Sequence, residues 1–592
     1  MVNWRYQNVV GRPLVRLSSL LVAGVLVLSA CAPSAAPAPQ PAPSAQQSAT
    51  PAPPPATPTS APSTPRPSAP ATPAPASAPA ATRTPSGATE QPKYGGVLAV
   101  RNPDPVSTFD MHQATRIDVS IPFSNVYIGL LRKDPVDGET VIPSMAKAWT
   151  ISPDGTEYIL TLQPGIKWHD GQALTTEAVA WSLNRMAHPP KGVISPRASG
   201  LLVGMVQAEA LDAARVRITL DAPSGSFLDR LANDWITVLP KHILDKKQGD
   251  ALDVVVGTGA FKFVRYNANV SVELTKNKEY FVPARPYLDG ITFFIIPEDR
   301  TAFAALRTGR VQLTTVASRA ISATEAELVE SDPDLSKKIL VERYASPSKN
   351  GFMPNNEIAP WKDVRVRRAA SLAMNRQAAV TIAKDAVIGG YLSPRTKWGI
   401  PVEELVKRPG FRQQKDQDIA EAKRLMADAG YANGIDIPLL CRLGFDCEQM
   451  APLLGSDLAR IGIRAKIVPT ATNVLTEIFN KGQYNAALYS ATAPLADPDS
   501  LLTSYLTGDG RNWSRFSDAQ VDAWFKEQSR TLDQSKRLEI VRKIEERLLE
   551  LEPLPSLYFR DYLRARWRTV KGFRSGPDLF QDENLEYAWL DK

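Results

Sequence analysis

Apolar residues follow two rhythms along most of this chain. Between Tyr158 and Leu162 they alternate with other residues, the period of a half-buried strand. From Thr175 to Leu183 they recur at helical spacing behind Thr175 or Thr176, either of which can cap a helix N-terminus. Ile291 to Ile296 is an almost unbroken apolar run, as in a strand covered on both faces. Leu538, Val541, Ile544 and Leu548 lie on one stripe of a predicted helix that starts at a cap, Asp533. Tyr94-Gly95-Gly96 is a turn signal that opens onto the strand-like run from Val97. Strand-like and helix-like stretches alternate without an internal repeat, which predicts a mixed α/β body.

Both rhythms are missing from the first ninety residues. Residues 1–30 carry Arg5, Arg12 and Arg16 and no acid, followed by the apolar run Leu17–Ala30. That run is too short to cross a hydrocarbon layer of about 30 Å comfortably, and its basic flank reads as a signal peptide. It ends Leu28-Ser29-Ala30-Cys31, which resembles a bacterial lipobox, where the cysteine thiol takes a lipid before cleavage. The competing readings are an ordinary signal peptide beside a chance cysteine, or an uncleaved anchor. Residues 31–92 are then the lipid-anchored Cys31 and a linker of Ala, Pro, Ser and Thr with a few Gln. With almost no large apolar side chains it cannot repay the cost of ordering and is expected to be disordered. Extended at ~3.1 Å per residue, such a spacer reaches at most roughly 190 Å. Its Ser/Thr-Pro content also leaves room for an O-glycosylated stalk.

The chain has 592 residues, 43% of them hydrophobic, enough for more than one ordinary domain. Removing the three leader arginines takes the formal net charge from +7 to +4, which does not argue for a nucleic-acid partner. Of the three cysteines, Cys441 and Cys447 lie in the body, and an exported protein meets oxidising conditions. A local disulfide and two unpaired thiols are both open. The four histidines, His112, His169, His188 and His242, have no metal-ligand spacing. There is no Gly-x-Ser-x-Gly elbow, no His-Glu-x-x-His and no Walker A loop. Gly257-Thr258-Gly259 lacks the second half of a dinucleotide fingerprint. No enzyme activity, cofactor or metal is expected.

An ordered series of short motifs carries the functional reading. Val126-Tyr127-Ile128-Gly129-Leu130-Leu131 precedes Ala148-Trp149-Thr150-Ile151-Ser152-Pro153-Asp154-Gly155, then Leu162-Gln163-Pro164-Gly165-Ile166-Lys167-Trp168-His169-Asp170-Gly171. Leu239-Pro240-Lys241-His242-Ile243, Val256-Gly257-Thr258-Gly259-Ala260-Phe261-Lys262 and Ala305-Leu306-Arg307-Thr308-Gly309 follow. Next come Asp363 to Ala369 with Arg365, Arg367 and Arg368, then Ala429-Gly430-Tyr431, Ile461-Gly462-Ile463, Asp497-Pro498-Asp499 and Asn512-Trp513-Ser514. Together they resemble the family 5 bacterial extracellular solute-binding proteins, the peptide- and nickel-type receptors of ABC importers, over residues 94–575. Locally, the Asp-Gly pairs are turns. The three arginines read as a helix start with a solvated basic face, and Trp149 and Trp168 as packing.

The resemblance implies a two-lobed periplasmic-binding-protein-like fold (type II, the large class with an extra subdomain) with two hinge crossovers. Lobe I would hold residues 93–344 and 556–592, and lobe II residues 345–555. The crossings are expected at Ile339–Tyr344 and Leu557–Phe559. Such a protein captures an extracytoplasmic solute, an oligopeptide or related organic molecule, by lobe closure. It delivers the solute to an ABC permease and ATPase complex, and would act as a monomer tethered to the membrane through Cys31. The alternative is a sensory or signalling lipoprotein built on the same fold.

Trp513 is the leading ligand-binding candidate, since an aromatic wall supplies large contact area. Asn512, Tyr127, Asn355 and Tyr489 are further candidates. Peptide-binding members commonly place an Asp three residues before the Asp/Glu-Pro step to pair the peptide ammonium. Here that position is Pro494, and the aromatic three places earlier is Ala491. Pro offers neither charge nor backbone donor, which weakens the expectation of a free-amine peptide. Asp497 and Asp499 could substitute, against capping and turn roles for both. Nickel is disfavoured for want of a histidine cluster.

Overall fold

The computed structural model describes residues 91–592 apart from 135–137, 198–199, 246–253, 315–319, 445, 494 and 573–584. The leader, Cys31, nearly all of the linker and Pro494 therefore lie outside the described residues. Everything described belongs to one unit, Ala74–Lys592.

Three larger sheets organise this unit. The first runs Val97–Asn102, Gly290–Ile295, Ser271–Lys276, Phe261–Asn267, with its first pair parallel and the rest antiparallel. The apolar run at Ile291 is thus an interior strand, paired on both edges. A second, antiparallel sheet runs Ala146–Ile151, Glu157–Leu162, Arg215–Leu220, Met205–Ala210. The helix Thr176–Ala187 packs on this sheet, and Thr175 is its cap, accepting from the Ala178 N–H at 3.2 Å. One continuous N-terminal core joins the two, from Leu98 to Leu313. Leu495, Val570, Leu585, Ala588 and Leu590 return to it from later in the chain. Trp168 is buried in this core and Trp149 packs against it, half-buried.

The third sheet has six strands in the order Ala386–Val387, Ser556–Trp567, Ile339–Pro354, Ala486–Thr492, Ile435–Arg442, Ile463–Thr470. It is covered on both faces. Along Ala486, Ala487, Leu488 and Tyr489 successive side chains enter two different cores, the period of two expected of a strand. On one face lies the helix Gln534–Leu551, capped by Asp533, with Val541, Ile544 and Leu548 fully buried. Where the strand Ile435–Arg442 ends, Cys441 and Cys447 are joined as a disulfide, Cα to Cα 5.3 Å.

The strands Ile339–Pro354 and Ser556–Trp567 carry the chain between the N-terminal core and the cores of the six-stranded sheet. They pair antiparallel from Ile339 opposite Trp567 to Ala345 opposite Asp561. The ladder is interrupted there and resumes at Lys349 opposite Phe559. Pro347, with no backbone N–H to give, lies in the interruption. Leu313 bridges Val100 on one side and Arg566 on the other, so the first sheet and this pair share a backbone contact. Thr314 N–H adds a bond to the Ala565 carbonyl at 2.9 Å.

One local expectation is corrected. Arg365 and Arg368 are exposed on the helix Val364–Ala373, and Arg365 pairs with its cap, Asp363, at 2.6 Å. Arg367 is buried instead. It donates to the carbonyls of Trp361 at 2.7 Å, Lys362 at 3.2 Å and Leu551 at 3.0 Å. Leu551 ends the helix Gln534–Leu551, so its carbonyl has no partner further along the helix and takes the guanidinium.

Candidate functional site

A pocket opens between the N-terminal body and the six-stranded body. Lys133, Gly138, Glu139 and Asp229 line it from the first, Thr396, Lys397, Trp398, Ala496 and Asp497 from the second, and Leu495 where the later chain packs into the N-terminal core. These residues come from loops, a strand end and the short helix Phe227–Leu231, which no sequence spacing links.

Its floor is a buried charge cluster. The fully buried Arg537 guanidinium makes a two-pronged bond to Asp497, at 2.6 and 2.7 Å, and reaches Asp499 at 3.4 Å. Asp497 also caps the short helix Pro498–Leu501, accepting from the Asp499 N–H at 2.9 Å. Asp499 accepts from Ser226 at 2.5 Å, Gln528 at 2.6 Å and Ser529 at 2.6 Å. Burial opposes every charge here. It pushes the Asp497 carboxyl up against the pull of Arg537, with the neighbouring Asp499 charge adding to the rise. Burial also pushes on Asp499, but Arg537 and the three side-chain donors bring it below its ordinary value. Arg537 is held above its usual range by the two carboxylates, despite burial. One cation serving two anions explains why the two aspartates move in opposite directions.

Asp499 also meets the other body, because Ser226 precedes the helix Phe227–Leu231 of the N-terminal core. Gly225 N–H donates to the Ser529 carbonyl at 2.7 Å, and Arg537 reaches the Gly225 carbonyl at 3.4 Å. Gly225 fits here because a side chain would not: a Cβ would stand 2.5 Å from the Thr531 carbonyl oxygen.

The opposite wall is the loop from Gly389 to Ile400. Glu545 holds it from below, accepting the N–H groups of Tyr391 at 3.0 Å, Leu392 at 3.0 Å and Ile400 at 3.2 Å. Burial still raises this carboxyl to about 7. Trp398, buried in the wall, has two cations near its ring: Lys397 Nζ is 4.8 Å from the centroid and Arg537 Cζ 4.9 Å.

The sequence candidates divide among three places. Trp513, Asn512, Asn355 and Tyr489 come together. The half-buried Trp513 ring packs 5.4 Å from Phe479 and 5.9 Å from Tyr489, and its N–H donates to Asn480 at 2.9 Å. Asn355 donates to the Gly482 and Tyr484 carbonyls at 3.1 Å each, and Tyr484 donates to the Trp513 carbonyl at 2.6 Å. Asn512 donates to the Leu506 and Phe516 carbonyls at 2.9 and 2.7 Å, fixing the turn beneath Trp513. None of the four lines the pocket described above. Asp497 does. Tyr127 lies buried in the N-terminal core with its ring 6.2 Å from Phe123. Its hydroxyl has no hydrogen-bond partner among the described residues, and burial raises it well above its ordinary range. Lys133, Asp229, Lys397 and Trp398 were missed, and no local pattern marks them.

Among the described residues no group of three or more His, Cys, Asp or Glu could hold a metal ion. Among them no helix is long and apolar enough to cross a membrane.

Comparison with known proteins places these features in company. Residues 140–513 match the profile of the bacterial extracellular solute-binding proteins, family 5. The di/tripeptide-binding protein 1 of Pseudomonas aeruginosa is 28% identical over 481 residues, covering 74% of this chain and 84% of that protein. The glutathione-binding protein of Escherichia coli is 26% identical over 460 residues, covering 75% and 86%. Among solved structures, the periplasmic binding protein DppA of Helicobacter pylori, in complex with the peptide STSA, superposes with a TM-score of 0.64. It is 25% identical, over 84% of this chain and 99% of that one.

Proposed function

Because the chain belongs to the bacterial extracellular solute-binding proteins of family 5, we propose that it is the substrate receptor of an ABC importer. It takes oligopeptides or related organic solutes outside the cytoplasm and hands them to a membrane permease and its ATPase. The observation that carries this reading is the pocket lined from both bodies, with the paired strands Ile339–Pro354 and Ser556–Trp567 as the covalent link between them. In this reading residues 93–344 and 556–592 form lobe I and residues 345–555 form lobe II. A solute that touches both lobes only when they are closed favours closure by its differential affinity. The relatives named for di- and tripeptides and for glutathione support a peptide-like solute. Of the sequence candidates, Asp497 builds the pocket floor, whereas Trp513, Asn512, Asn355 and Tyr489 form a separate cluster and Tyr127 lies in the N-terminal core. No step of this function requires catalysis or a cofactor.

A thermal-unfolding screen of the purified protein against di-, tri- and tetrapeptides and glutathione tests the reading. A true ligand present at 100 times its Kd adds about 2.7 kcal/mol of stability and raises the Tm visibly. A screen in which no peptide or thiol peptide moves the transition sinks the peptide assignment.

The same proposal makes Cys31 a lipid anchor and residues 32–92 a spacer that leaves the lobes room to turn toward the permease. Two acyl chains at ~0.8 kcal/mol per buried CH₂ would hold it durably. Cys31→Ala is expected to move the protein from the membrane fraction to the soluble fraction and to lower uptake. Retention of the variant in the membrane, or undiminished uptake by released protein, would remove the anchor from the account.

A further inference from the structure

We infer that Arg395 is a positioning residue: it ties the pocket wall to the crossing strand Ser556–Trp567, so that filling the pocket is felt at the gap in the crossing ladder. This rests on the receptor reading above.

The wall loop Gly389–Ile400 meets the crossing strand at two points. A Cβ on Gly389 would stand 2.4 Å from Cδ2 of Phe559, so glycine lets the loop lie directly on the strand. Further along, the Arg395 guanidinium makes a two-pronged bond to Asp561, 2.6 Å from Nε and 2.7 Å from Nη2. Two parallel bonds fix direction as well as distance. Arg395 is exposed but Asp561 is buried. Burial pushes the Asp561 carboxyl above its ordinary range, and the guanidinium pulls against it. Arg395 sits in a tight turn, in which Thr396 donates to the Ser393 carbonyl through its N–H at 3.1 Å and its hydroxyl at 2.8 Å. That turn leads straight into Thr396, Lys397 and Trp398, which line the pocket.

The two points of contact fall at a mechanically special place. Asp561 and Phe559 face Ala345 and Lys349, the rungs on either side of the gap. Asp561 is also where the edge strand Ala386–Val387 lets go, its N–H donating to the Asp385 carbonyl at 2.6 Å. Beyond it, Ala565 and Arg566 are held by Thr314 and Leu313 of the N-terminal side. The wall therefore grips the strand where the hold of one body gives way to the other, beside an irregularity at which a strand pair bends most easily. A solute that settles against Thr396 and Trp398 orders the wall loop, and the fork passes that order to Asp561.

Hydrogen exchange on the full chain reads this coupling. The probes are tri-alanine and glutathione at saturating concentration, on wild type, Arg395→Gln and Arg395→Lys. In wild type, binding is expected to slow exchange over residues 391–400 and, by about fivefold or more, at Ser346 and Ser348 in the gap. In saturated Arg395→Gln the wall is expected to stay protected while the slowing at Ser346 and Ser348 falls below about twofold. Arg395→Lys keeps the charge but not the fork, and should recover only part of the slowing. Equal slowing at Ser346 and Ser348 in wild type and Arg395→Gln overturns the inference, as does wild-type binding that never reaches them. If wild type binds neither probe, the peptide reading fails, and the solute-free protein decides this inference alone. There Arg395→Gln is expected to speed exchange in both the wall and the gap. Speeding confined to the wall, or absent from both, overturns it.

Discussion

Arg537→Met is expected to lower the stability of the protein by about 3–5 kcal/mol, the usual result of stranding a buried charge. The cause is not the loss of a favourable bond. Arg537 is fully buried and is the cation for Asp497, itself buried, and for the partly buried Asp499 together. Without it two carboxylates share a largely buried site from which their cation has been removed. The measurement is urea unfolding, with the midpoint read at unchanged slope. A decrease under about 1 kcal/mol would show that water reaches the cluster, and the account of the floor would be wrong. A second variant separates the explanations. Arg537→Met combined with Asp497→Asn and Asp499→Asn should recover much of the loss, because the penalty belongs to unpaired charge rather than to the bonds. Arg537→Lys should rescue only in part, since one ammonium cannot reproduce the two-pronged contact.

Gly257→Ala is the second large effect, at about 3 kcal/mol or more. A Cβ on Gly257 would stand 1.9 Å from the Val126 carbonyl oxygen and 2.6 Å from its carbon. Neither side can retreat. The Val126 carbonyl accepts the Gly259 N–H at 2.9 Å, and the Gly257 carbonyl accepts the His169 N–H at 2.8 Å. Rigid backbone meets rigid backbone, so the clash is relieved only by separating chain segments of the N-terminal core. Gly510→Ala is the control, because nothing lies within 4 Å of its would-be Cβ. Equal soluble yield and equal denaturation midpoints for the two variants would contradict the close approach.

Gly257 also illustrates what could be read from the sequence. The sequence showed that the Gly-Thr-Gly motif is not a nucleotide loop, but the reason for glycine, the Val126 carbonyl, lies more than a hundred residues away. Strands and helices were legible wherever one period dominated, as at Tyr158–Leu162, or where a cap announced a helix, as at Thr175 and Asp533. Charge was the hardest signal. Arg367 looks like its exposed neighbours Arg365 and Arg368, yet it buries to serve the end of a distant helix. Arg537 and Asp497 are forty positions apart, and nothing between them reveals that they meet. Aromatic residues were ambiguous for a physical reason. Trp513 packs on Phe479 and Tyr489, and the same apolar area that suits a ligand wall suits a core. Trp398, the indole that does line the cleft, sits among Pro394, Arg395 and Lys397 without any periodic pattern. Pocket walls gathered from positions 133, 229, 398 and 497 depend on how the bodies dock, which local sequence does not encode.

The contact of Ser226 and Gly225 with Asp499, Ser529 and Arg537 has a bearing on how many kinds of cargo such a receptor can carry. Those bonds join one body to the other through protein atoms alone, so their contribution is the same whatever lies in the cleft. It acts as a constant term in every binding free energy, and so as a common factor in every binding constant. Each cargo then needs to supply only the remainder, and molecules with few contacts of their own can still hold the lobes together. Breadth of diet, in this design, is set outside the pocket, and choosiness is left to the handful of groups that touch the guest.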